Sequence, residues 1–487
     1  MREKFLLWFA ALAAFGGCIF AAFEFDDFAL FSKSPVMLPA RWIDCFRQTR
    51  PLTELSFWLN DALFGRSPVS WHVVDLLLHL AVVALVFDVL RKLIGDRSGW
   101  IAAAIFAVHP MMTEPVAYVF ARATLLATLF SLLAMRSWIA GRFWIAVLWF
   151  AAGMLAKEEC AALPLVLILL PPDDRSLRSR LSSVLSRDHR ERSRGFLVML
   201  VVALAIGIRT LFAAAAIPGS GVGANAGISP LAYLESQGLV IWRYLRLFVI
   251  PWGFSIDPSL SRPPLWVALS AWAALAAVCL IPFRGRFWFL LGLLLLAPSS
   301  SILPAADLAA DRRMYLPMIA FCACAGVLLE TVDRRAILAM VLALMAISIR
   351  YSILWAHPDA LWGEAKRLAP DAVRPRIQLA RTLPPARELE ELKDAPDVES
   401  VATERGRLLL TLGRPAEALS AFGRALALNP NDARAISNRA VALAALGSRD
   451  AAIAEFQRAL EKDACLSDAR ENLSKLGLET AAPANCH

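Results

Sequence analysis

The chain has 487 residues, 58% of them hydrophobic, with a formal net charge of +8. Soluble domains run about 45–50% apolar, so this composition excludes a wholly soluble protein. The basic excess is not a nucleic-acid footprint: the run Arg175–Arg194 is interleaved with Asp188 and Glu191 and holds no aromatic residue, so it reads as a membrane-orientation signal.

Arg2 and Lys4 precede an apolar run ending at Phe23. No small-residue cleavage site follows, so the run reads as an uncleaved first span starting in the cytoplasm. The stretch Phe23–Thr53 comes next, with Glu24-Phe25-Asp26-Asp27 and then Arg41, Arg47 and Arg50-Pro51-Leu52-Thr53. A carboxylate there can take a proton from a hydroxyl, and guanidinium groups can hold a phosphate. The plainer reading is a solvated loop cap.

Further spans are expected at 71–92, 98–113, 116–135, 142–156, 159–172, 195–216, 264–283, 287–304, 315–331 and 335–356, which makes eleven with the first. The even-numbered loops carry Arg91-Lys92 with Arg97, Arg136 with Arg142, the run 173–194, Arg284 with Arg286, and Arg334-Arg335. Each holds at least two basic residues, as cytoplasmic loops should. Spans 142–156 and 159–172 fall below the usual ~20 residues, but merging them would put the basic run on the wrong side. Residues 219–227 read as a flexible Gly/Ala/Ser stretch. Residues 231–250 are apolar but carry Glu235, Gln237, Arg243 and Arg246. They read as an amphipathic helix lying at the outer surface and ended by Pro251.

Residues 357–487 change character and read as a soluble, charged, helical segment. A 34-residue period runs through 400–477: Leu412-Gly413 recurs as Leu446-Gly447, Ala418 as Ala452, Phe422 as Phe456, and Arg424-Ala425-Leu426 as Arg458-Ala459-Leu460. That is a tetratricopeptide signature, in which stacked helix pairs complete one another's core. Leu361-Trp362 through Ala369-Pro370 reads as a degenerate unit, with Pro384-Pro385 and the acidic 388–397 interrupting the array. The fold class is therefore all-α: a polytopic membrane domain over 1–356 and a repeat solenoid over 357–487.

Polar groups recur on the outer side of these spans. They are His109-Pro110 with Glu114 and Arg122, Lys157-Glu158-Glu159, Glu235 with Gln237, and Asp311-Arg312-Arg313 with Tyr315. Each has a structural explanation: a helix stop with a satisfied imidazole, a pair at the membrane edge, a local ion pair. Their convergence on the face that holds Asp26 and Asp27 points to one shared polar cavity. No catalytic triad, P-loop or dinucleotide fingerprint is present. The cysteines show no metal spacing; Cys18, Cys160, Cys279, Cys322 and Cys324 read as packing, and a bridge among Cys45, Cys465 and Cys486 stays open.

Phe25-Asp26-Asp27, Arg50-Pro51-Leu52-Thr53, His109-Pro110 with Thr113-Glu114, Ala156-Lys157-Glu158 and Asp311-Arg312-Arg313-Met314-Tyr315-Leu316-Pro317, in that order and followed by the repeats, resemble the transmembrane and tetratricopeptide repeat O-mannosyltransferases and their bacterial relatives, within the GT-C glycosyltransferases. Phe25 departs from the Trp common in relatives, and the repeat array is shorter than in eukaryotic members. The resemblance implies a polyprenyl-phosphate sugar donor, transfer that inverts the anomeric centre, an extracytoplasmic active site and repeats that recruit a protein acceptor. It implies Asp26 or Asp27 as base, with Lys157, Arg313, Arg122 and Arg312 on the donor phosphate. His109, Glu114, Glu158, Arg50, Gln237, Asp311 and Tyr315 would orient sugar or acceptor. No cofactor or resident metal is expected, although Asp26 with Glu114 leaves a divalent ion open. A bacterial inner membrane fits, with the N-terminus cytoplasmic and the repeats periplasmic. Two rivals are an O-antigen-ligase-like transferase, disfavoured by an acidic pair placed after span one, and a non-enzymatic membrane-anchored scaffold, which would not need the outer polar clusters. The sugar and the acceptor are not legible.

Overall fold

The structure, a computed structural model, describes residues 2–31, 41–170, 187–215, 227–301, 303–305, 307–481 and 483. Helices, and no strands, make up the regular structure of these residues. Residues 219–226 and the start of the basic run 175–194 lie outside the described residues. The chain divides into two compact units: of the described residues, 2–28 and those of 41–357 fall in the first, and 29–31 with those from Pro358 onward in the second.

In the first unit, Arg2–Phe20, Pro68–Ile94, Val119–Ile139, Arg190–Ala213 and Arg334–Trp355 are long and apolar enough to cross a membrane. Phe143–Ala156, Leu265–Leu280, Arg286–Leu296 and Met318–Leu328 are shorter apolar helices. Phe9, Leu77, Leu148, Leu204 and Leu280 are exposed on outward faces, where hydrocarbon is the natural solvent. The remaining two expected spans fall on shorter helices flanked by polar turns. Asp96–Val108 stops at His109, and the helix Leu163–Leu169 follows a 3-10 turn over Glu158–Ala162.

Local chemistry explains the breaks. Pro68 opens its helix at a position where the missing N–H costs nothing, and Gly95, at φ 88°, closes it with a backbone bond to Arg91. Lys157 is extended at φ −161°, so 143–156 and 158–169 are separate helical segments. The helix Pro230–Val249 is capped by Ser229, whose hydroxyl accepts from the Ala232 N–H. Its charged residues are all engaged: Glu235 with Arg262, Arg243 with Asp311, and Arg246 with the Trp252 carbonyl.

The second unit runs through eight described helices: Pro358–Leu368, Val373–Arg381, Pro385–Glu391, Glu399–Thr411, Pro415–Leu428, Ala433–Ala445, Arg449–Lys462 and Ser467–Lys475. Phe422, Ala425, Phe456 and Ala459, the residues that mark the period, are buried in its core. Gly413 and Gly447 take positive φ two residues past the end of the first helix of each repeat, a conformation that favours glycine. The prolines expected to interrupt the array instead start a helix, because a fixed φ and no N–H suit its first position. Ile377, Ala380, Leu392, Val401 and Leu408 form one apolar cluster across that region. Cys465 is disulfide-bonded and Cys45 is a free buried thiol; Cys486 lies outside the described residues.

Of the described glycines in the membrane unit, Gly326 makes the closest approach, against Asp96–Val108. A Cβ added there would lie 2.3 Å from the Ser98 carbonyl oxygen. Because backbone cannot step aside as a side chain can, Gly326→Ala should destabilise the unit by about 1–3 kcal/mol. A lower thermal midpoint in detergent would show it, whereas an unchanged midpoint would mean that the two helices separate freely.

Candidate active site

The acidic loop folds into a 3-10 turn, Phe25–Phe31, that sends its two carboxylates in opposite directions. Phe25 enters it at φ 48°, in the left-handed region that side chains other than glycine rarely adopt. Such strain costs on the order of 1–3 kcal/mol and persists where surrounding contacts hold it. Asp27 is fully buried: Oδ1 accepts from the Phe120 N–H at 2.8 Å and Oδ2 from the Glu24 N–H at 3.1 Å. Burial pushes its carboxyl well above the ordinary range, outweighing those two donors. Asp27 therefore acts as a clip between the loop and the Val119–Ala121 turn. Asp26 is exposed and meets Tyr118, whose hydroxyl donates to Oδ2 at 2.9 Å while accepting from the Asp26 N–H at 3.3 Å.

Tyr118 carries the cluster onward. The Arg312 guanidinium lies 5.5 Å from the centre of its ring and donates to Glu114 Oε1 at 2.6 Å, and the Arg312 N–H donates to Glu114 Oε2 at 2.9 Å. Thus Asp26, Tyr118, Arg312 and Glu114 form one chain of contacts. Both Glu114 oxygens are spent on Arg312, and among the described residues no three His, Cys, Asp or Glu side chains converge to hold a metal ion.

The next residue faces a different set of partners. Arg313 donates to the Tyr233 hydroxyl at 3.0 Å, to the Leu308 carbonyl at 3.2 Å and to the Asp307 carbonyl at 2.7 Å. All are neutral groups. Among the described residues no carboxylate stands within ion-pair distance of Arg313. Its predicted companions are matched by contrast. Lys157 pairs with Glu159 at 2.6 Å and donates to the Thr124 hydroxyl at 2.7 Å. Arg50 grips Glu158 with two hydrogen bonds, at 2.6 and 3.2 Å. Burial opposes ionisation of Glu158, but Arg50 wins and holds its carboxyl down to about 2. The Thr53 hydroxyl donates to the Ala156 carbonyl at 2.9 Å, which brings the Arg50-Pro51-Leu52-Thr53 and Ala156-Lys157-Glu158 segments together.

Several predicted site residues are committed to structure. His109 Nδ1 accepts from the Met111 N–H and Nε2 donates to the Phe248 carbonyl, both at 3.1 Å, so its ring is the helix stop of the plainer reading. Tyr315 pairs with His79 at 2.7 Å in the buried interior. Asp311 pairs with Arg243 rather than with its neighbour Arg312. Arg122 is fully buried against Asp75, away from any surface a phosphate could reach. Gln237 donates to the Leu308 carbonyl at 3.1 Å, beside Arg313, with its buried Oε1 lacking a hydrogen-bond partner among the described residues.

Tyr118, Tyr233 and Arg209 did not stand out in the sequence, and Arg243 stood out only as a charge on the 231–250 segment. Arg209 holds the Phe46, Gln48 and Thr49 carbonyls at 2.8, 2.7 and 3.3 Å and so fixes the approach to Arg50. A signal existed for the tyrosines: the chain has 5 of them against 27 phenylalanines. In so apolar a protein a phenol marks a place where its hydroxyl is used, and each of Tyr118, Tyr233, Tyr244, Tyr315 and Tyr351 makes a hydrogen bond through it.

A unit of apolar helices holding a paired polar cluster, followed by a repeat solenoid, defines a multi-pass integral membrane protein. Comparison with known proteins narrows the class. Residues 49–206 match the family model described as dolichyl-phosphate-mannose-protein mannosyltransferase, and 403–464 match tetratricopeptide repeat. The chain is 27% identical to protein O-mannosyl-transferase TMTC4 of Homo sapiens over 69% of its own length and 55% of that protein. It is 26% identical to protein O-mannosyl-transferase F38B6.6 of Caenorhabditis elegans, over 69% of the chain and 51% of that protein. Over 22% of the chain it is 40% identical to Tmtc1 of Drosophila melanogaster, covering 14% of that protein. Among solved structures, ArnT from Cupriavidus metallidurans bound to undecaprenyl phosphate aligns with 92% of the chain and 78% of its own, at 14% identity and a TM-score of 0.35, too low to carry an argument. The chain is thus similar to TMTC O-mannosyl-transferases over part of its length and carries a tetratricopeptide segment. The chain spans about half the length of the TMTC4 and F38B6.6 proteins it matches.

Tyr118→Phe removes both bonds to Asp26 and leaves the ring in place. It should cost roughly 1 kcal/mol and speed amide exchange at residues 24–28 without touching the repeats. Exchange identical to wild type would show that Tyr118 does not hold the loop.

Proposed function

We propose that this chain is a membrane glycosyltransferase that moves a sugar from a polyprenyl-phosphate donor to an acceptor hydroxyl, with the repeats recruiting a protein acceptor. The single observation that carries the reading is Arg313, a buried guanidinium whose partners are all neutral. A buried guanidinium whose hydrogen-bond partners are all neutral is a site for an anion. Lys157, Arg50, Arg312 and Arg243 already face carboxylates. Arg313 therefore holds the donor phosphate, and Lys157 joins it only when Glu159 gives way.

Asp26 is the base. It is the exposed member of the acidic pair, oriented by Tyr118, whereas both oxygens of Asp27 are occupied by backbone N–H groups. The acceptor oxygen attacks the anomeric carbon, its proton passes to Asp26, and the bond from that carbon to the phosphate oxygen breaks. Arg313 stabilises the leaving phosphate as its charge develops. Attack from the face opposite the phosphate inverts the anomeric centre. No resident cofactor enters this scheme. The mannosyltransferase names of the relatives favour mannose as the sugar.

The reaction is placed on the extracytoplasmic face, in a bacterial inner membrane with the N-terminus cytoplasmic. An odd number of spans and the basic residues of the alternate loops support that orientation. The disulfide at Cys465 supports it independently, since such bonds persist in oxidising compartments.

Binding and turnover should separate on purified protein. Asp26→Asn keeps size and hydrogen bonding but loses proton affinity, and should lower turnover about 10²–10⁴-fold with donor affinity little changed. Arg313→Ala should instead weaken donor binding by roughly 1.5–3 kcal/mol, the worth of a charge-assisted contact. Wild-type turnover in Asp26→Asn would end the base assignment. For orientation, a reporter active only in the cytoplasm and fused after His487 should stay silent; a strong signal would reverse the topology and the site's placement with it.

A further inference from the structure

Among the described residues, Arg122 and Asp75 are the most completely buried ion pair of the membrane unit, with no side-chain surface exposed on either. The Arg122 guanidinium also donates to the Trp71 carbonyl at 3.0 Å and the Ser56 carbonyl at 3.4 Å. It lies 5.1 Å from the Phe57 ring centre and 5.2 Å from that of Trp71. One residue thereby ties together the helices Pro51–Phe64, Pro68–Ile94 and Arg122–Ile139.

Arg122 immediately follows the Val119–Ala121 turn. The turn is closed by the Ala121 N–H donating to the Tyr118 carbonyl at 3.0 Å. Its Phe120 N–H binds Asp27, and the Tyr118 hydroxyl at its start binds Asp26. Every contact from this turn to the acidic loop thus lies within five residues of chain ending at Arg122. A catalytic base must be held within about 0.5 Å of its productive position, and a misplacement of about 1 Å can cost ~10²-fold in rate.

We infer that Asp75 and Arg122 are positioning residues: their buried pair anchors the Tyr118–Arg122 turn, and the turn fixes Asp26 and Asp27 in register for proton transfer. Neither residue touches substrate. The pair explains why a charge is kept in the apolar interior, where hydrophobic side chains of similar volume would often serve stability as well or better. This inference rests on the proposed function for its kinetic consequence, but its structural step stands independently.

That substitution is the test. Asp75→Leu with Arg122→Met, in the full chain in lipid nanodiscs, removes both charges together and leaves neither one unpaired. Turnover is read with a polyprenyl-phosphate-linked mannose and a peptide containing serine and threonine, and amide exchange is followed at 24–28 and 118–122. The double variant should fold, keep the donor KM within about twofold of wild type, lose kcat by roughly ten- to a hundredfold, and exchange faster in both segments. Wild-type kcat, or unchanged exchange in both segments whatever the turnover, overturns the inference. Should the double variant not fold, Arg122→Lys decides by the same two readouts, since it keeps the charge opposite Asp75 but cannot span the Trp71 and Ser56 carbonyls as well. If wild-type protein itself transfers no sugar, the enzymatic reading fails, and exchange alone judges the anchor.

Discussion

A charge among apolar helices costs several kcal/mol unless it is paired and hydrogen-bonded. That constraint organises the membrane unit. Arg122 faces Asp75, Lys157 faces Glu159, Arg50 faces Glu158, Arg243 faces Asp311 and Arg312 faces Glu114. Each pair joins segments far apart in the chain, apart from Lys157 with Glu159, and together they gather the polar turns at the helix ends. The helices supply apolar bulk; the pairs set which ends meet.

Among the described buried cations Arg122, Lys157 and Arg313, Arg313 alone pairs with no carboxylate, and the turn Asp311–Met314 shows how this arises. Three consecutive charged side chains leave the turn in three directions. Asp311 goes to the helix Pro230–Val249 through Arg243, Arg312 goes to Glu114 and the Tyr118 ring, and Arg313 goes to Tyr233 and two carbonyls. Neutral partners orient the guanidinium without cancelling its charge. The acidic loop is divided in a similar way, with Asp27 held inward by backbone donors and Asp26 left exposed. In both places adjacent residues of the same charge split between a structural contact and an available one.

Much of the architecture was legible beforehand. Apolar runs long enough to span a bilayer fall on helices, and the 34-residue period falls on stacked helix pairs with Phe422 and Phe456 buried. The site was legible as a set of segments but not as a set of roles. His109, Tyr315 and Arg122 carry the same functional groups as the residues left at the polar cluster, yet their neighbours consume every useful atom of the first two and bury the third. Pro384-Pro385 was read as interrupting the repeat array, whereas Pro385 opens the helix Pro385–Glu391.

What the sequence determined by itself was therefore local and periodic: helix, span length, repeat register, and which turns are polar. These depend on composition and spacing along a short stretch of chain, where apolar runs and 34-residue echoes leave a direct trace. What only the tertiary structure decided was partnership. Asp26 and Asp27 are neighbours with the same side chain, and nothing within the loop ranks one above the other. The Phe120 N–H, 93 residues along the chain from Asp27, takes one of them inward, and the Tyr118 hydroxyl, 92 residues from Asp26, orients the other at the surface. Burial and hydrogen bonding are set by whatever the fold brings alongside, so the division of labour between two identical carboxylates became visible only in three dimensions.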